Sequence, residues 1–364
     1  MVAKVAGQTV PGARLLSLTV DQDLNQPDMC VMTLGNEDHA FSNGIKHGDA
    51  VEVTVGDGNK VIFKGEVVGL EPFYKAGGES KCVVRAFNKM HRLLRGRKSR
   101  TFLDQSDQDI AGTIAGDSGL SPECGSSPKI THKHVYQHNQ TNLEFLRLRA
   151  ARLGFDVWVD GDKLHFDKPK SDVDSGIKLT SASPVGSEGT DIKLISFAPR
   201  MSSSAVVKKV IVRGWDPEKK EEIVGEASVA NSQLGDKTGE SQSTSFGTVE
   251  TFEVDHPIFS VDEAKAIAES RLGELSMAYI TGEAWIPGSG DIKAGIVVEI
   301  TINRDKPEDR FNGKYMVVGA SHSYTHAKGG GGSGGGGGYK TQVRVARDAQ
   351  GSGATVPWPE GEAE

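Results

Sequence analysis

The first quarter of the chain alternates apolar and polar residues with a period of two. Valines at positions 51, 53 and 55 alternate with Glu52 and Thr54, and another such run follows after a Gly-rich turn. This period places every second side chain on the same face of a strand. The segment from Arg14 to Asn88 is therefore predicted to be strand after strand, as in a small antiparallel barrel or sandwich.

Between residues 96 and 172 the spacing changes to that of helices. Ser106 with Asp109, and Thr141 with Glu144, have the three-residue separation of a capping box at a helix start. Apolar residues then recur every three or four positions, as on the buried face of a helix, until Gly154. Residues 155–159 and 163–166 follow as a predicted hairpin. This part is predicted to be a compact α+β insertion.

The pattern returns to strands between residues 173 and 348. One helix is predicted after Ser260, because Glu263 is placed to complete its cap and apolar residues follow at helical spacing. The segment Gly225 to Gly247, rich in Ser, Gly and Thr, is predicted as a long loop, and residues 349–364 as a flexible tail.

The last strands are predicted to form a β-hairpin. Lys314 to Tyr324 is strand-like, and Thr341 to Arg347 alternates apolar and polar residues. Residues 328–338 between them are nearly all glycine and are predicted as the flexible connection. Phosphate-binding glycine loops also require fixed spacing, a lysine and a following helix, so this pattern does not favour nucleotide binding.

The hairpin carries Ser321-His322, then the glycine tract, then Gly338-Tyr339-Lys340-Thr341. This order resembles the closing hairpin of the phage late-control D family, the baseplate hub proteins of contractile tails. That family is related to the hub part of the valine-glycine-repeat (VgrG-type) spike proteins of type VI secretion. The other segments that resemble the family, in the same order, are Gln137–Leu146, Ala150–Phe155, Gly161–Phe166, Val212–Pro217 and Gly288–Gly295.

The resemblance covers roughly residues 10 to 347 and implies a fold and an assembly. The fold class is mainly β (α+β): a tail-tube-like β-barrel at 1–95, the α+β insertion at 96–172, and a second such barrel at 173–348. Three copies would present six similar barrels, so the chain is expected to be a homotrimeric, pseudo-sixfold adaptor between a hexameric inner tube and a spike. No catalytic residue and no cofactor is implied.

The implied partners are the inner tube protein, the spike and other baseplate proteins, with DNA or a cargo protein passing through the channel. The VgrG-type proteins continue after the hub into further spike domains, whereas this sequence ends soon after Arg347. We therefore expect the spike to be a separate polypeptide, onto which the tail around Trp358 docks.

Charge gives one further candidate surface. A net charge of −7 argues against a general nucleic-acid binder, which has a basic face. A local basic run nevertheless extends from Lys89 to Arg100. The simpler interpretation is a solvated strand end or loop, and the alternative is a contact surface for an acidic partner. The candidate interface residues of the run are Lys89, Arg92, Arg95, Arg97, Lys98 and Arg100.

Cysteine usage and the N-terminus bear on location. Cys30, Cys82 and Cys124 are odd in number and widely spaced, which is typical of a reduced compartment. The sequence shows neither a signal-peptide pattern nor an apolar stretch of about 18 residues. We expect assembly in the bacterial cytoplasm, as a component of a phage tail or extracellular injection particle.

His132 and His134 are the weak candidates for a metal site. Two positions apart on a strand, they are predicted to project from the same face, and imidazole suits zinc. The spacing lacks a second pair of ligands, so the alternative is a pair of polar residues on an exposed strand face.

The enzymatic alternative is a cell-wall-degrading tail hub, a peptidoglycan hydrolase. Such an enzyme needs two carboxylates placed by a cleft, a His-Glu-x-x-His zinc motif, or a Ser nucleophile on a strand-to-helix turn. None of these occurs in recognisable form, so a non-enzymatic protein is expected. A free-standing carbohydrate-binding β-protein is a third alternative.

Overall fold

A computed structural model describes fourteen stretches of the chain. They are residues 1–24, 26–56, 60–126, 129–168, 174–181, 191–216, 219–228, 232, 234–242, 250–253, 258, 260–302, 309–326 and 338–351. Residues 328–337 of the predicted glycine connection, Trp358 and nearly all of the predicted tail lie outside the described residues, whereas Gly338 is the first residue of the last long strand.

The described chain is mainly β, as the sequence predicts. The strands are β1 Val2–Val5, β2 Gln8–Thr9, β3 Leu15–Asp23, β4 Gln26–Gly35, β5 Ala50–Val55, β6 Lys60–Phe73, β7 Lys81–Phe87, β8 Lys98–Ser106, β9 Ser121–Cys124, β10 Thr131–Gln140, β11 Asp156–Asp160, β12 Lys163–Asp167, β13 Asp174–Thr180, β14 Asp191–Lys193, β15 Ser196–Met201, β16 Lys209–Asp216, β17 Glu221–Ser228, β18 Lys237–Thr238, β19 Glu250–Glu253, β20 Ile280–Pro287, β21 Val297–Thr301, β22 Gly313–Thr325, β23 Gly338–Arg347 and β24 Ala349–Gln350.

Helices are fewer. The α-helices are α1 Ala40–Gly44, α2 Asp107–Asp117, α3 Asn142–Ala151, α4 Gly239–Gln242 and α5 Val261–Met277, and two 3₁₀ helices span Gly12–Arg14 and Lys89–Leu94. Among the described helices, none combines the length and the apolar character needed to cross a membrane.

Packing divides the chain into two compact units. The first comprises residues 1–169, 288–294 and 318–343, and the second comprises residues 170–287, 295–317 and 344–364. The finer division predicted from the sequence, with boundaries at 95, 172 and 348, stays a prediction.

The first unit is built on an antiparallel sheet. Its strand order is β22, β3, β4, β7, β6, β5, β1, β2, where β22 contributes residues 318–325. The alternation of apolar residues seen in the sequence fills one core with side chains such as Val20, Met32 and Val84, all fully buried. Burial of this apolar face from water is what stabilises the sheet.

The α+β part of the first unit has its own core. β8 pairs with β10, and β11, β12 and β9 form a three-stranded sheet. Both predicted capping boxes are present, at Ser106 before α2 and at Thr141 before α3. These caps satisfy backbone amides that the first helical turn leaves unpaired. Ile110 and Leu146 then meet in the core, each fully buried.

In the second unit, β16 pairs with β17 and β19, and α5 packs on this small sheet. The Ser260 side chain caps α5 by accepting a hydrogen bond from the Glu263 amide at 3.1 Å. Other pairs of this unit are β13 with β14 and β21, β15 with β20, and β18 with β24.

The predicted loop from Gly225 to Gly247 is wrong at its start. β17 continues to Ser228, with Ile223 and Ala227 buried on one face. At Gly225 a Cβ atom would lie 2.6 Å from the Ala264 Cβ, so glycine is what allows α5 to approach this strand. A residue that looks like a loop former is therefore a packing residue.

Candidate functional site

The closing hairpin brings the family-like motifs together. β22 carries His322 and β23 carries Tyr339 and Thr341, and these two strands pair as predicted. The Nδ1 atom of His322 lies 2.8 Å from the Tyr339 hydroxyl and 3.1 Å from the Thr341 hydroxyl. We call these three residues the hairpin cluster.

The loop at residues 288–290 belongs to the same place. The Ser289 amide donates a hydrogen bond of 3.2 Å to Thr341 Oγ1. A Cβ atom on Gly288 would overlap the Tyr339 ring, at 1.9 Å from its nearest carbon, so only glycine fits there. Two segments that resemble the same family, far apart in sequence, thus pack against one another.

The hairpin cluster is electrically neutral. His322 is fully buried, and this burial lowers its pKa to about 4, although the neighbouring Ile292 backbone acts in the opposite direction. Burial raises the pKa of Tyr339 to about 12, so its phenol keeps its proton and donates to Nδ1. The hydrogen bonds thus assign the remaining imidazole proton to Nε2. An uncharged, fully packed histidine fits a structural role.

His132 and His134, predicted on one strand face, differ in exposure, and their role as metal ligands stays a prediction. His132 is buried, whereas His134 is exposed, although both lie on β10. On the partner strand, Asp104 lies between the residues paired with these two histidines and has a positive φ of 50°. We attribute the loss of simple alternation to this left-handed residue.

His132 instead belongs to a buried ionic network. Arg149 donates two hydrogen bonds to the Asp107 carboxylate, from Nε to Oδ1 at 2.5 Å and from Nη2 to Oδ2 at 3.0 Å. The Nε2 atom of His132 lies 3.0 Å from Asp107 Oδ2. Burial alone would raise the pKa of Asp107, but its bonds to His132 and Arg149 hold that pKa below the usual value. We call these three residues the ionic network.

Neither Asp107 nor Arg149 is among the residues that the sequence pattern singles out. Asp107 lies next to the capping Ser106, and Arg149 lies at helical spacing behind the predicted Thr141 cap. Only the packing of α2, α3 and β10 shows that the three side chains meet. Across the parts of the chain that the structure describes, no group of three or more His, Cys, Asp or Glu side chains could hold a metal ion.

Most of the basic run is engaged inside the first unit. The run connects β7 to β8, and its side chains pair with acids from the sheet and from the α+β part. The ion pairs are Lys89–Asp162, Arg92–Glu66, Arg97–Glu144, Lys98–Asp117 and Arg100–Asp117. The run therefore ties the two parts of the unit together, and its role as a contact surface stays a prediction.

Arg95 is different from the rest of the run. Its side chain is exposed and makes no ion pair within the described residues. Trp358, the remaining candidate interface residue, lies outside those residues.

Two carboxyl groups have raised pKa values, as a general acid of a hydrolase would require. Burial raises the pKa of Asp28 to about 7 and that of Asp156 to about 6. The Asp28 carboxylate accepts a hydrogen bond of 3.1 Å from the Asn88 amide group. Burial by itself accounts for the direction of both shifts.

Comparison with known proteins gives one family and a set of similar folds. The sequence model of the Alg8 N-terminal domain family matches residues 2–326. A search of the curated proteins found no match.

Three solved structures are similar over most of their lengths. A tail protein of prophage MuSo2 from Shewanella oneidensis has a TM-score of 0.68 at 15% identity, covering 96% of this chain and 98% of that one. A tail protein from Neisseria meningitidis has a TM-score of 0.68 at 11% identity, covering 95% and 96%. An E. coli component of the type VI secretion system, described as similar to the T4 tail proteins gp27 and gp5, has a TM-score of 0.61 at 13% identity, covering 98% and 80%. The chain thus has the fold of these tail proteins.

Proposed function

Since this chain belongs to the Alg8 N-terminal domain family and has the fold of two solved tail proteins, we propose that it is a structural baseplate hub protein of a contractile tail or injection system. The observation that carries the proposal is coverage: each match with these two tail proteins covers at least 95% of this chain and of the other chain. A shared fold is an analogy about function, so the assembly itself must be tested.

In this proposal the protein works as a homotrimer. Each chain contributes two tube-like barrels, so that the trimer offers six similar barrels to a hexameric inner tube and a threefold face to a separate spike. Strand edges that meet partners would also be protected from uncontrolled pairing. Other baseplate proteins complete the ring, and DNA or a cargo protein passes through its channel.

Light scattering after gel filtration tests this assembly. The purified chain is measured alone, with the neighbouring tube protein, and with the spike protein. The expected result is a mass near three times 38.8 kDa for the chain alone, or a larger complex with three copies of the chain that forms only with those partners. A stable monomer that binds neither the tube protein nor the spike protein would overturn the proposal.

The tail around Trp358 is proposed as the contact to the spike. Deletion of residues 351–364 should abolish spike binding in the same assay while leaving tube binding intact. Unchanged spike binding would remove the tail from the proposal without affecting the hub.

We also propose that the protein has no enzymatic activity of its own. The purified chain should leave peptidoglycan intact in a zymogram, with lysozyme as the positive control. Clearing by the chain, lost in an Asp28→Asn or Asp156→Asn variant, would instead support the cell-wall-degrading alternative.

A further inference from the structure

A polar cavity of about 480 Å³ lies within the first unit, beside the basic run. One side is formed by Gly48 and Glu66 of the sheet region. The other side is formed by the ends of α2 and α3, at Ser118 and Asn142. The basic run passes between them and contributes the positive charges of the cavity.

Three cations line this cavity. Arg92 forms an ion pair with Glu66, and its Nε atom lies 3.1 Å from that carboxylate. Lys98 lies 3.9 Å from Asp117, which is a loose contact. Arg95 has no ion pair within the described residues. Arg95 and Lys98 therefore retain donors that a ligand could use.

The acids of the cavity are already neutralised. Partial burial would raise the pKa of Glu66, but hydrogen bonds from Arg92 and His91 hold that pKa below its usual value. Asp117 accepts a hydrogen bond of 2.6 Å from Arg100. Counting Arg100, four cations thus surround two carboxylates, and the excess positive charge remains on the Arg95 and Lys98 side.

Asn142 adds a neutral donor. It is only 4% exposed, and its Oδ1 atom accepts hydrogen bonds from Arg100 at 3.1 Å and from Gln137 at 3.3 Å. These two donors fix the orientation of the amide, so Nδ2 points away from them and has no partner within the described residues. Because Asn142 is the first residue of α3, the positive end of that helix faces the same side.

We propose that this cavity binds a compact oxyanion, a phosphate group or a carboxylate. The lining suits such a group because the residues Arg95, Lys98 and Asn142 offer a guanidinium, an ammonium and an amide N–H to the same cavity. Charged hydrogen bonds of this kind are strong and directional. A nucleic-acid strand would instead need a row of cations along its phosphates. The free phosphate and the carboxylate of a partner protein share the same donors, and the experiment separates them.

The full-length protein is titrated with sodium phosphate or sodium acetate, with sodium chloride at equal ionic strength as the reference. A ligand that binds only the folded state raises the melting temperature by an amount that grows with the logarithm of its concentration relative to its dissociation constant. We expect phosphate, acetate or both to raise it above the chloride curve. Arg95→Ala and Lys98→Ala should each weaken the apparent affinity at least about tenfold.

Arg200→Ala is the matched control, because Arg200 is also exposed and makes no ion pair within the described chain. It should bind like the wild type. A response to phosphate alone that Arg95→Ala loses identifies a phosphate site, because phosphate also stabilises folded proteins by exclusion from their surface. A response to acetate that Arg95→Ala loses identifies a site for a carboxylate of a partner protein. The proposal would be overturned if the melting-temperature curves in phosphate and acetate coincided with the curve in chloride. It would also be overturned if the Arg95→Ala variant bound the anion like the wild type. This outcome is independent of the trimer assay.

Discussion

Two buried histidines of the first unit have opposite surroundings. His322 of the hairpin cluster is fully buried and its Nδ1 atom meets two hydroxyl groups. His132 of the ionic network is 6% exposed and contacts the Asp107 carboxylate and the Arg149 guanidinium. The two histidine side chains are buried to nearly the same extent, and only the chemistry of the groups around them differs.

This difference shows how a protein can bury a titratable residue in two ways. In the hairpin cluster, burial favours the neutral imidazole, and two hydroxyl groups lie within hydrogen-bond distance of its Nδ1 atom. In the ionic network, charged partners compensate one another, and removal of one partner leaves another charge buried alone. The first cluster should therefore respond to pH, and the second should respond most strongly to loss of a charge.

The largest effect is expected when the ionic network loses its cation. Arg149→Met keeps an apolar stem of similar length but leaves Asp107, which is 2% exposed, without its counter-charge. Breaking such a buried pair costs about 3 to 5 kcal/mol of the free energy of unfolding. Amide hydrogen exchange of α3, measured in increasing urea, reports the free energy of unfolding of the first unit separately from that of the second.

Arg147→Met is the matched control, because Arg147 lies on the same helix and is exposed. It should change the free energy of unfolding by no more than about 0.5 kcal/mol. If the two variants behave alike, the contrast between an ionic and a neutral cluster does not hold.

The hairpin cluster should make stability depend on pH. The pKa of His322 falls from 6.5 to about 4 on folding, so the unfolded chain binds the proton more readily between these values. Stability from this residue is present above pH 6.5 and is lost as the pH falls toward 4. A difference of about 2.5 in pKa corresponds to about 3 kcal/mol.

His322→Gln should make the free energy of unfolding depend less on pH between 6.5 and 4. Asp28 and Asp156 have raised pKa values and contribute with the opposite sign over the same range, so the difference between variant and wild type is the quantity to measure. The pKa of Asp107 is lowered, and its contribution is lost only as the pH falls through that lowered value. Parallel curves for variant and wild type between pH 6.5 and 4 would contradict the assignment.

A smaller effect is expected from the hydroxyl of Tyr339. Tyr339→Phe removes the donor that lies 2.8 Å from His322 Nδ1, while Thr341 can still bond. Loss of one such bond costs about 1 kcal/mol. Tyr324→Phe on the neighbouring strand, whose hydroxyl makes no hydrogen bond within the described residues, should change the urea midpoint much less. Equal effects would show that the cluster does not depend on this bond.

The smallest effect should come from zinc. Nε2 of His132 already contacts Asp107 and Arg149, and His134 is exposed, so the two imidazoles cannot bind one ion without rearrangement. Added zinc or a chelator should leave the melting temperature unchanged. Zinc stabilisation that disappears in His132→Gln would restore the metal hypothesis and break the comparison.

The sequence predicted local structure where the signal was local. The capping boxes at Ser106 and Thr141, the hairpin of residues 156–167 and the pairing of β22 with β23 are confirmed. Each depends on residues only a few positions apart or on a period of two along one strand. Gly225 shows the limit, because its place in β17 depends on a helix about 40 residues later in the chain.

The candidate residues were less predictable than the elements that carry them. The basic run is visible in the sequence, yet its acids come from residues 66, 117, 144 and 162. That Arg95 makes no ion pair with any residue that the structure describes depends on which of these acids its neighbours reach. The different exposure of His132 and His134 could not be read from their spacing, because it accompanies one left-handed residue on the facing strand.

The sequence by itself determined the mainly β character, the helix starts, the closing hairpin and the order of the family-like segments, because these follow from side-chain period and from local hydrogen bonding. Only the tertiary structure decided that His322 is neutral, that His132 lies among charges, and that most of the basic run is paired internally. The physical reason is that desolvation and Coulomb interactions depend on distances in space, which residues far apart in the chain determine.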